Sequence, residues 1–228
     1  MTDDSAPDEA ARTPYYQDDH VTLYLGNCLE VSEWLAADVL VTDPPYGMAF
    51  QSGQRAEKFD AIAGDEDTSA RDSALDLWGA ARPAVVFGTW RVPRPFDTRQ
   101  LLVWHKRGGG FMGDVTTAFG TNHEEIYLLG DWKKVAVRRG SVITTESSPS
   151  ALTTKVGHPT PKPIGVMEIL IESAAPGVIA DPFAGSGSTL IAARNLGRKA
   201  IGVELEERYC EIIAKRLDQM ALDFGAGA

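Results

Sequence analysis

Short apolar runs, separated by polar, glycine-rich and proline-rich stretches, set the pattern of this chain. Each run spans three to five residues, a length typical of a buried strand and too short for a helix. The runs predict strands at residues 21–25, 39–42, 84–87, 101–104, 125–129, 178–180 and 200–203. Residues 133–137 and 141–145 lie on either side of Arg138-Arg139-Gly140 and predict a hairpin with the glycine at its turn.

Helical spacing of apolar positions appears between these runs. It predicts helices at residues 29–35, 164–173, 188–196 and 206–220. Gly197 follows the third of these segments and indicates where that helix ends. Strands that alternate with helices are typical of an α/β fold with a mostly parallel sheet.

The length and composition favour one domain. The chain has 228 residues, 43% of them hydrophobic, which is enough for a single sizeable core. We predict a domain at residues 15–222, with a disordered acidic tail at 1–14 and a flexible tail at 223–228. Residues 48–70 lack any period and predict a long surface loop, a candidate lid over a substrate.

Two compositional features bear on where the protein acts. No apolar run reaches about 18 residues, so the sequence predicts no contact with a membrane. The chain has only 2 cysteines, Cys28 and Cys210, and an acidic N-terminus without a signal-peptide pattern. We therefore expect it in the cytoplasm.

The net charge of −10 is unusual for a protein that binds nucleic acid, but the charge is unevenly distributed. Residues 1–81 hold 4 basic and 17 acidic side chains, whereas residues 82–140 hold 10 basic and 5 acidic ones. A basic central third can follow a phosphate backbone, and an ordinary solvated surface would look the same. Charge permits DNA binding without demonstrating it.

A glycine-rich turn, Asp-Pro-Phe-Ala-Gly-Ser-Gly-Ser-Thr at residues 181–189, joins a predicted strand to a predicted helix. Gly185 and Gly187 let the backbone bend and approach a ligand closely, because no Cβ obstructs it. Glu204 ends the next predicted strand, where a carboxylate can bond both hydroxyls of a ribose. The pattern indicates a cofactor that contains adenosine.

The turn lacks the residues that bind phosphates. A P-loop needs lysine before its Ser or Thr, and this chain has Gly187-Ser188-Thr189. A dinucleotide site prefers a small residue where Leu190 stands, and Asp181 would repel a pyrophosphate. These features disfavour an unrelated nucleotide enzyme, and a carboxylate suits the cationic end of S-adenosylmethionine.

A proline-rich turn, Asp43-Pro44-Pro45-Tyr46, ends another predicted strand. Proline fixes φ at about −65°, so the turn is stiff. An aromatic amino nitrogen is a poor nucleophile, and the Asp43 carboxylate and Pro44 carbonyl can accept both of its hydrogens. Tyr46 can stack on a base that has been flipped out of a duplex.

The two motifs resemble those of the amino-group DNA methyltransferases, which methylate adenine N6 or cytosine N4. The similarity extends from Tyr16 to about Leu217. The proline-rich motif precedes the glycine-rich one, as in the circularly permuted β class. The resemblance implies a Rossmann-like, S-adenosylmethionine-dependent methyltransferase fold, with a mostly parallel central sheet and helices on both faces.

The resemblance also implies the residues of the site. It assigns catalysis to Asp43, Pro44, Pro45 and Tyr46, with no metal. It assigns cofactor binding to Asn27, Cys28, Lys162, Asp181, Phe183, Gly185, Ser186, Gly187, Thr189 and Glu204. Lys162 lies in a His-Pro-Thr-Pro-Lys-Pro segment that closes over the methionine end of the cofactor in this family, and Asn27 stands where an acidic residue is usual.

The substrate implied by the resemblance is double-stranded DNA. Asp-Pro-Pro-Tyr is commoner among adenine enzymes, so we expect methylation at N6 of adenine, with cytosine N4 as the alternative. Methylation at cytosine C5 is excluded, because it needs a Pro-Cys pair and the cysteines follow Asn27 and Tyr209. The family implies a role in restriction-modification, in a prokaryotic or phage-infected cell, and leaves a homodimer open.

In the β class the target-recognition segment lies between the catalytic half, here 15–130, and the cofactor-binding half, here 158–222. We therefore expect DNA contacts from the short segment 131–157 and from the basic residues before it. The predicted contacts are Arg91, Arg94, Arg99, Lys106, Arg107, Lys133, Lys134, Arg138 and Arg139.

Two further alternatives stay open on the sequence. One is an amino methyltransferase that acts on RNA, although such enzymes carry the proline-rich turn after the glycine-rich loop. The other is a catalytically idle decoy that binds S-adenosylmethionine or DNA. Intact Asp43, Tyr46, Gly185 and Gly187 argue against such decay.

Overall fold

The computed structural model describes residues 12–47, 67–107, 116, 118–133, 138–146 and 161–225, in which nine strands form one mixed sheet. The strands are β1 (Tyr16–Gln17), β2 (Val21–Leu25), β3 (Val39–Thr42), β4 (Ala84–Gly88), β5 (Gln100–Arg107), β6 (His123–Leu129), β7 (Val142–Glu146), β8 (Ile179–Asp181) and β9 (Ala200–Glu204). Their spatial order is β1-β2-β9-β8-β3-β4-β6-β5-β7. All run in one direction except β1 and β6.

Helices cover both faces of this sheet. The described chain contains a 3₁₀ helix (Glu33–Ala36) and the α-helices α1 (Ser69–Trp78), α2 (Ile164–Glu172), α3 (Ser188–Asn195) and α4 (Glu207–Gly225). Val41 packs with α2, α3 and α4 on one face, and Leu40 packs with the 3₁₀ helix and α1 on the other. Neighbouring strand residues face opposite ways, so each apolar strand is buried on both sides. The predicted Rossmann-like α/β fold is confirmed.

Helix α1 departs from the sequence prediction, which treats the chain up to residue 70 as a loop. This helix buries Arg71, Ala74 and Trp78, three positions on one face. One of the three is charged, so the apolar stripe is too sparse to indicate a helix.

None of the described helices is long and apolar enough to cross a membrane.

The predicted hairpin around Gly140 is also corrected. β7 pairs in parallel with β5, with Val142 opposite Val103, so Val142–Glu146 extends the main sheet. Residues 134–137, which would form most of the other hairpin strand, lie outside the described residues. The alternating pattern identifies a strand correctly but carries no information about its partner.

The carboxyl ends of the parallel strands form one edge of the sheet. β3 ends at Thr42, β8 at Asp181 and β9 at Glu204. β6 runs in the opposite direction, so its first residues, His123 and Glu124, come to the same edge. Ligands of open α/β sheets bind at this edge.

Candidate active site

The proline-rich turn and the glycine-rich loop follow neighbouring strands. β3 and β8 pair in parallel, with Leu40 opposite Ala180. The Thr42 hydroxyl, just before the turn, donates to Asp181 Oδ1 at 2.7 Å. Since parallel neighbours end at the same edge, residues 43–46 and 181–187 lie side by side.

Asp43 is hydrogen-bonded on both carboxylate oxygens. The Tyr46 hydroxyl donates to Oδ1 at 2.6 Å, and the Lys162 ammonium donates to Oδ2. Burial raises the pKa of Asp43, and Lys162 opposes that rise. Burial and the nearby Asp43 charge also raise the pKa of Tyr46, so its hydroxyl stays a donor. Each carboxylate oxygen has two lone pairs and can accept a further hydrogen bond.

Lys162 lies inside the site, with 6% of its side chain exposed. Its Nζ contacts Asp43 and lies 3.4 Å from Glu124 Oε2. The rings of Tyr46 and Phe87 lie 5.5 Å and 5.2 Å from the same Nζ, within reach of cation–π attraction. The resemblance places Lys162 against the carboxylate of the cofactor. Here its partners are carboxylates of the protein, because two of them are buried within its reach.

Lys106, a predicted DNA contact, lies in the same group of charged side chains. Its ammonium pairs with Glu124 Oε1, and only 14% of its side chain is exposed. It turns inward because Glu124, with a side chain that is 19% exposed, requires a counter-charge. Sequence reasoning missed Glu124, although an acidic residue at the start of a buried strand is a signal that could have found it.

The glycine-rich loop is tied to the end of β9. The Gly185 N–H donates to Glu204 Oε2 at 2.7 Å, and the Glu206 N–H donates to Oε1 at 2.9 Å. Gly187 begins α3 in the left-handed region, with φ of 78°. A Cβ at this position would lie 2.9 Å from Ile213, so both the conformation and the contact require glycine.

Gly187→Ala should therefore lower the free energy of unfolding by about 1–3 kcal/mol. Gly197→Ala is the matched control, because Gly197 also has positive φ, at +66°, but a Cβ there would meet nothing within 4 Å. Chemical denaturation of both variants separates backbone strain from the contact with Ile213. Equal losses in the two variants would show that the contact does not matter.

Burial raises the pKa of Glu204 from 4.5 to about 7, although the Glu206 and Gly185 N–H groups lower it. The folded protein thus favours the neutral carboxyl. The stability from this group is fully present below about pH 4.5 and is lost as the pH rises through about 7.

Between pH 4.5 and pH 8, the free energy of unfolding of the ligand-free wild-type protein should fall. We expect this fall to exceed that of Glu204→Gln by on the order of 3 kcal/mol. Denaturation of both proteins across this range measures the difference. Parallel curves would contradict the raised pKa of Glu204.

Asp181 and Cys28, two predicted cofactor contacts, are both buried. Asp181 is 2% exposed, and its Oδ1 accepts from Thr42 and, at 3.2 Å, from the Phe183 N–H. Cys28 is 6% exposed and packs in the core, where burial raises its pKa to about 11. Through its bonds, Asp181 joins the glycine-rich loop to β3.

The remaining predicted cofactor contacts lie in or beside the loop. Asn27 follows β2, and its Oδ1 accepts from the Leu29 N–H at 3.0 Å. This bond uses the carbonyl that the sequence assigns to the cofactor. Phe183 and Gly185 are partly exposed, whereas Ser186, Gly187 and Thr189 are buried.

Most of the predicted DNA contacts are exposed, namely Arg91, Arg94, Arg99, Arg107, Lys133, Arg138 and Arg139. Arg91 follows β4, and Arg107 is the last residue of β5. Both lie at the edge of the sheet that carries Asp43. Arg139 pairs at 2.6 Å with Glu172, the last residue of α2. Lys134, His158 and residues 48–66 of the candidate lid lie outside the described residues.

Arg139 is not beside the catalytic turn. Lys162, which contacts Asp43, precedes the first turn of α2, and Glu172 ends that helix. The helix has 9 residues and is therefore about 13 Å long. The structure thus places Arg139 about one helix length from the catalytic turn.

The residues of the loop suit S-adenosylmethionine better than a phosphate ligand. Residues 181–189 contain no basic side chain. A carboxylate at the end of β9, held by loop N–H groups, leaves lone pairs that can accept from ribose hydroxyls. A mostly parallel sheet with this loop beside an acidic, proline-rich turn is the arrangement of a Rossmann-like methyltransferase.

The family is established by comparison with family models. Residues 94–215 match the N6/N4 methyltransferase family, described as DNA methylase. This match covers more than half of the 228 residues, and the chain belongs to this family. It is a DNA methyltransferase, and S-adenosylmethionine is its methyl donor.

Individual proteins agree with this assignment. YubD of Escherichia coli (strain K12), which is named as a methylase, is 29% identical over 222 residues, covering 88% of this chain and 92% of that protein. The type II methyltransferase M.ScaI of Streptomyces caespitosus is 42% identical over 69 residues, covering 29% of this chain and 23% of that enzyme.

Solved structures share the fold. The complex of M1.HpyAVI with SAM has a TM-score of 0.59 at 21% identity, covering 86% of this chain and 99% of that one. PvuII DNA methyltransferase, a cytosine-N4-specific enzyme, has a TM-score of 0.63 at 16% identity, covering 89% of this chain and 88% of that one.

Proposed function

We propose that this protein methylates N6 of an adenine flipped out of double-stranded DNA. The observation that carries the proposal is the position of the Asp43 carboxylate, at the sheet edge that holds the cofactor loop and beside that loop. An aspartate opens the turn, and in this family that residue is commoner in adenine enzymes than in cytosine enzymes. We also propose residues 15–130 as the catalytic half, 131–157 as the recognition segment and 158–222 as the cofactor-binding half.

The catalytic turn would hold the amino group of the base. Asp43 accepts one amino hydrogen, and the carbonyl of Pro44 accepts the other. These bonds withdraw the nitrogen lone pair from the ring and make the nitrogen more nucleophilic. Tyr46 fixes the direction of the carboxylate through its hydroxyl, 2.6 Å from Oδ1, while Pro45 keeps the turn stiff.

The same turn compensates for part of the cost of flipping the base. Extrusion of a base costs a few kcal/mol. The half-buried ring of Tyr46 can stack on the base, and such stacking contributes about 1–3 kcal/mol. When bound, S-adenosylmethionine supplies an electrophilic methyl group. The proton that the amino nitrogen loses passes to Asp43, its hydrogen-bond partner, and then to water.

Cofactor binding would rest mainly on Glu204. Its carboxylate accepts from the Gly185 and Glu206 N–H groups and keeps lone pairs for the ribose hydroxyls. Gly185 and Gly187 keep the loop backbone free of Cβ atoms where the cofactor approaches. Asp181 holds the loop to β3 through Thr42.

A labelling experiment tests the proposal. The protein is incubated with methyl-labelled S-adenosylmethionine and duplex DNA, and the digested nucleosides are identified by mass. We expect labelled N6-methyladenine. Labelled N4-methylcytosine would transfer the assignment to cytosine, and the absence of any labelled nucleoside would favour a binding protein without activity.

The DNA contacts at the active-site edge can be tested separately. Replacing Arg91 and Arg107 by alanine should weaken DNA binding and lower the salt slope of log K by about 2, because each lost phosphate contact removes about 0.9. Lys199→Ala with Lys215→Ala removes the same charge elsewhere and should leave the slope unchanged. Binding isotherms at several salt concentrations measure both.

Arg138→Ala with Arg139→Ala tests, in the same assay, the two arginines that the sequence predicts as DNA contacts. A lowered slope would keep these two arginines among the DNA contacts. An unchanged slope would remove them, and it would agree with the position of Arg139 at the far end of α2.

A further inference from the structure

Four charged side chains form a row inside the active site. Lys106 pairs with Glu124 Oε1, and Lys162 contacts Asp43 Oδ2 while lying 3.4 Å from Glu124 Oε2. Their side chains are between 6% and 21% exposed. The signs alternate along the row, so buried charges compensate one another. Lys162 is the member shared by two carboxylates.

The two carboxylate partners of Lys162 are not equivalent. Asp43 Oδ2 accepts a hydrogen bond from the ammonium. Glu124 Oε2 is buried and has no hydrogen-bond partner within the part of the chain that the structure describes, although Nζ is only 3.4 Å away. A buried acceptor without a donor is unfavourable. A small shift of the ammonium would satisfy it.

The target amino group needs the Asp43 carboxylate, to which Lys162 already donates. Tyr46 donates to Oδ1 of Asp43, and Lys162 donates to Oδ2. If both donors stayed in place, the incoming amino group would reach only a second lone pair, on an oxygen whose charge the ammonium already neutralises. Such an oxygen is a weaker acceptor for the amino group than one freed from the ammonium.

We propose that Glu124 is a positioning residue which takes Lys162 from Asp43 as the target amino group arrives. The inference rests on the proposed function only in that Asp43 accepts from an amino group, so it applies to adenine and cytosine alike. After the shift, Lys162 donates to Glu124 Oε2, and Asp43 Oδ2 accepts from the base. Lys162 still lies between two carboxylates, so the charge balance is preserved.

The row favours the charged forms of Glu124 and Lys162. Burial alone raises the pKa of Glu124, but Lys162 and Lys106 lower it more, and the net shift is downward. Burial alone lowers the pKa of Lys162, but Asp43 and Glu124 raise it more. Lys162 therefore stays an ammonium in either position.

The Glu124 charge also sets the basicity of Asp43. The described titratable groups around Asp43 and its hydrogen-bond partners are Lys162, Glu124, Tyr46, Asp181, Tyr127 and, behind Glu124, Lys106. Lys162 lowers the pKa of Asp43, and the Glu124 charge raises it. Without that charge, Asp43 becomes a weaker base, and Lys162 binds Asp43 alone.

Glu124→Gln tests the inference, with Glu125→Gln as the matched control. Glu125 is the next residue of β6 and faces the other side of the sheet, where it contacts Arg94 and Tyr127. We expect Glu124→Gln to lower kcat by roughly 10- to 100-fold and to move the acid limb of kcat/KM to lower pH. The Kd of S-adenosylmethionine should change little, and Glu125→Gln should leave the acid limb in place.

Glu124→Asp provides a second variant if Glu124→Gln folds poorly. It keeps the charge and shortens the reach, so kcat should fall while the acid limb stays at its wild-type position. An acid limb that does not move in Glu124→Gln, or that moves to higher pH, would overturn the inference. So would a kcat no lower than that of Glu125→Gln.

The two proposals fail in different measurements. If the wild-type protein yields methylcytosine or no methylated nucleoside, the proposed function fails. If the wild-type protein methylates DNA but the acid limb of kcat/KM is the same in Glu124→Gln, only the proposed transfer of Lys162 to Glu124 is contradicted.

Discussion

Asp43→Ala should lower kcat by about 10²–10³-fold, the largest effect expected of any single substitution in this protein. The variant loses the acceptor that activates the amino nitrogen, and it leaves Lys162 to pair with Glu124 alone. Cofactor binding should persist, because the loop at residues 181–187 is held by Glu204 and Thr42. Single-turnover methyl transfer and calorimetric binding of S-adenosylmethionine measure the two quantities.

Asp76→Ala is the control for this substitution. Asp76 is an exposed aspartate on α1, and it lies on the element that covers the opposite face of the sheet from α2. Its replacement should change neither kcat nor the Kd of the cofactor. A kcat for Asp43→Ala within about tenfold of the control would contradict the role of the carboxylate.

Glu204→Ala should raise the Kd of S-adenosylmethionine by about 100-fold. At pH 8, above the raised pKa of Glu204, hydrogen bonds to its charged carboxylate contribute about 1.5–3 kcal/mol each, and the ribose would lose two of them. Two bonds at the lower figure amount to about 3 kcal/mol, or roughly two powers of ten in Kd. The loop also loses the acceptor of the Gly185 N–H.

Glu206→Ala is the matched control for Glu204. Its side chain pairs with Arg208 at 2.7 Å, and its backbone N–H still reaches Glu204 after the substitution. The Kd of S-adenosylmethionine for Glu206→Ala should stay within about twofold of the wild-type value, a change of less than about 0.5 kcal/mol. Similar losses of affinity in the two variants would contradict the specific role of Glu204.

The sequence predicts the local elements better than their partners. The strands from β2 to β9 are each predicted within a few residues, because buried strands are short apolar runs between polar turns. The apolar runs do not show that β3 and β8 are neighbours, since the two strands are far apart in the chain, and only the family resemblance implies that their two motifs share one site. That neighbourhood brings Asp43 to the cofactor loop.

Side-chain direction accounts for most of the differences at the site. Motifs identify Asp43, Tyr46, Gly187 and Glu204, because their positions follow from strand ends and backbone conformation. Lys106 appears as one more cation of a basic segment, and only the structure shows its ammonium turned toward Glu124. Charge runs in a sequence do not show which members face inward.

The burial of Asp181 is a further feature that the sequence does not show. The sequence correctly places this carboxylate at the end of a strand, and Asp181 is the last residue of β8. It is 2% exposed, and its bonds to Thr42 and to the loop backbone hold the loop to β3. A strand end can face a ligand or the adjacent strand, and residue type alone does not decide between them.

A crystal structure with bound S-adenosylmethionine would show whether residues 43–46 and 181–187 serve one reaction site. We expect the ribose hydroxyls to contact Glu204 and the methyl group to face Asp43. A cofactor whose ribose lies away from Glu204, or whose methyl group faces away from the proline-rich turn, would contradict it.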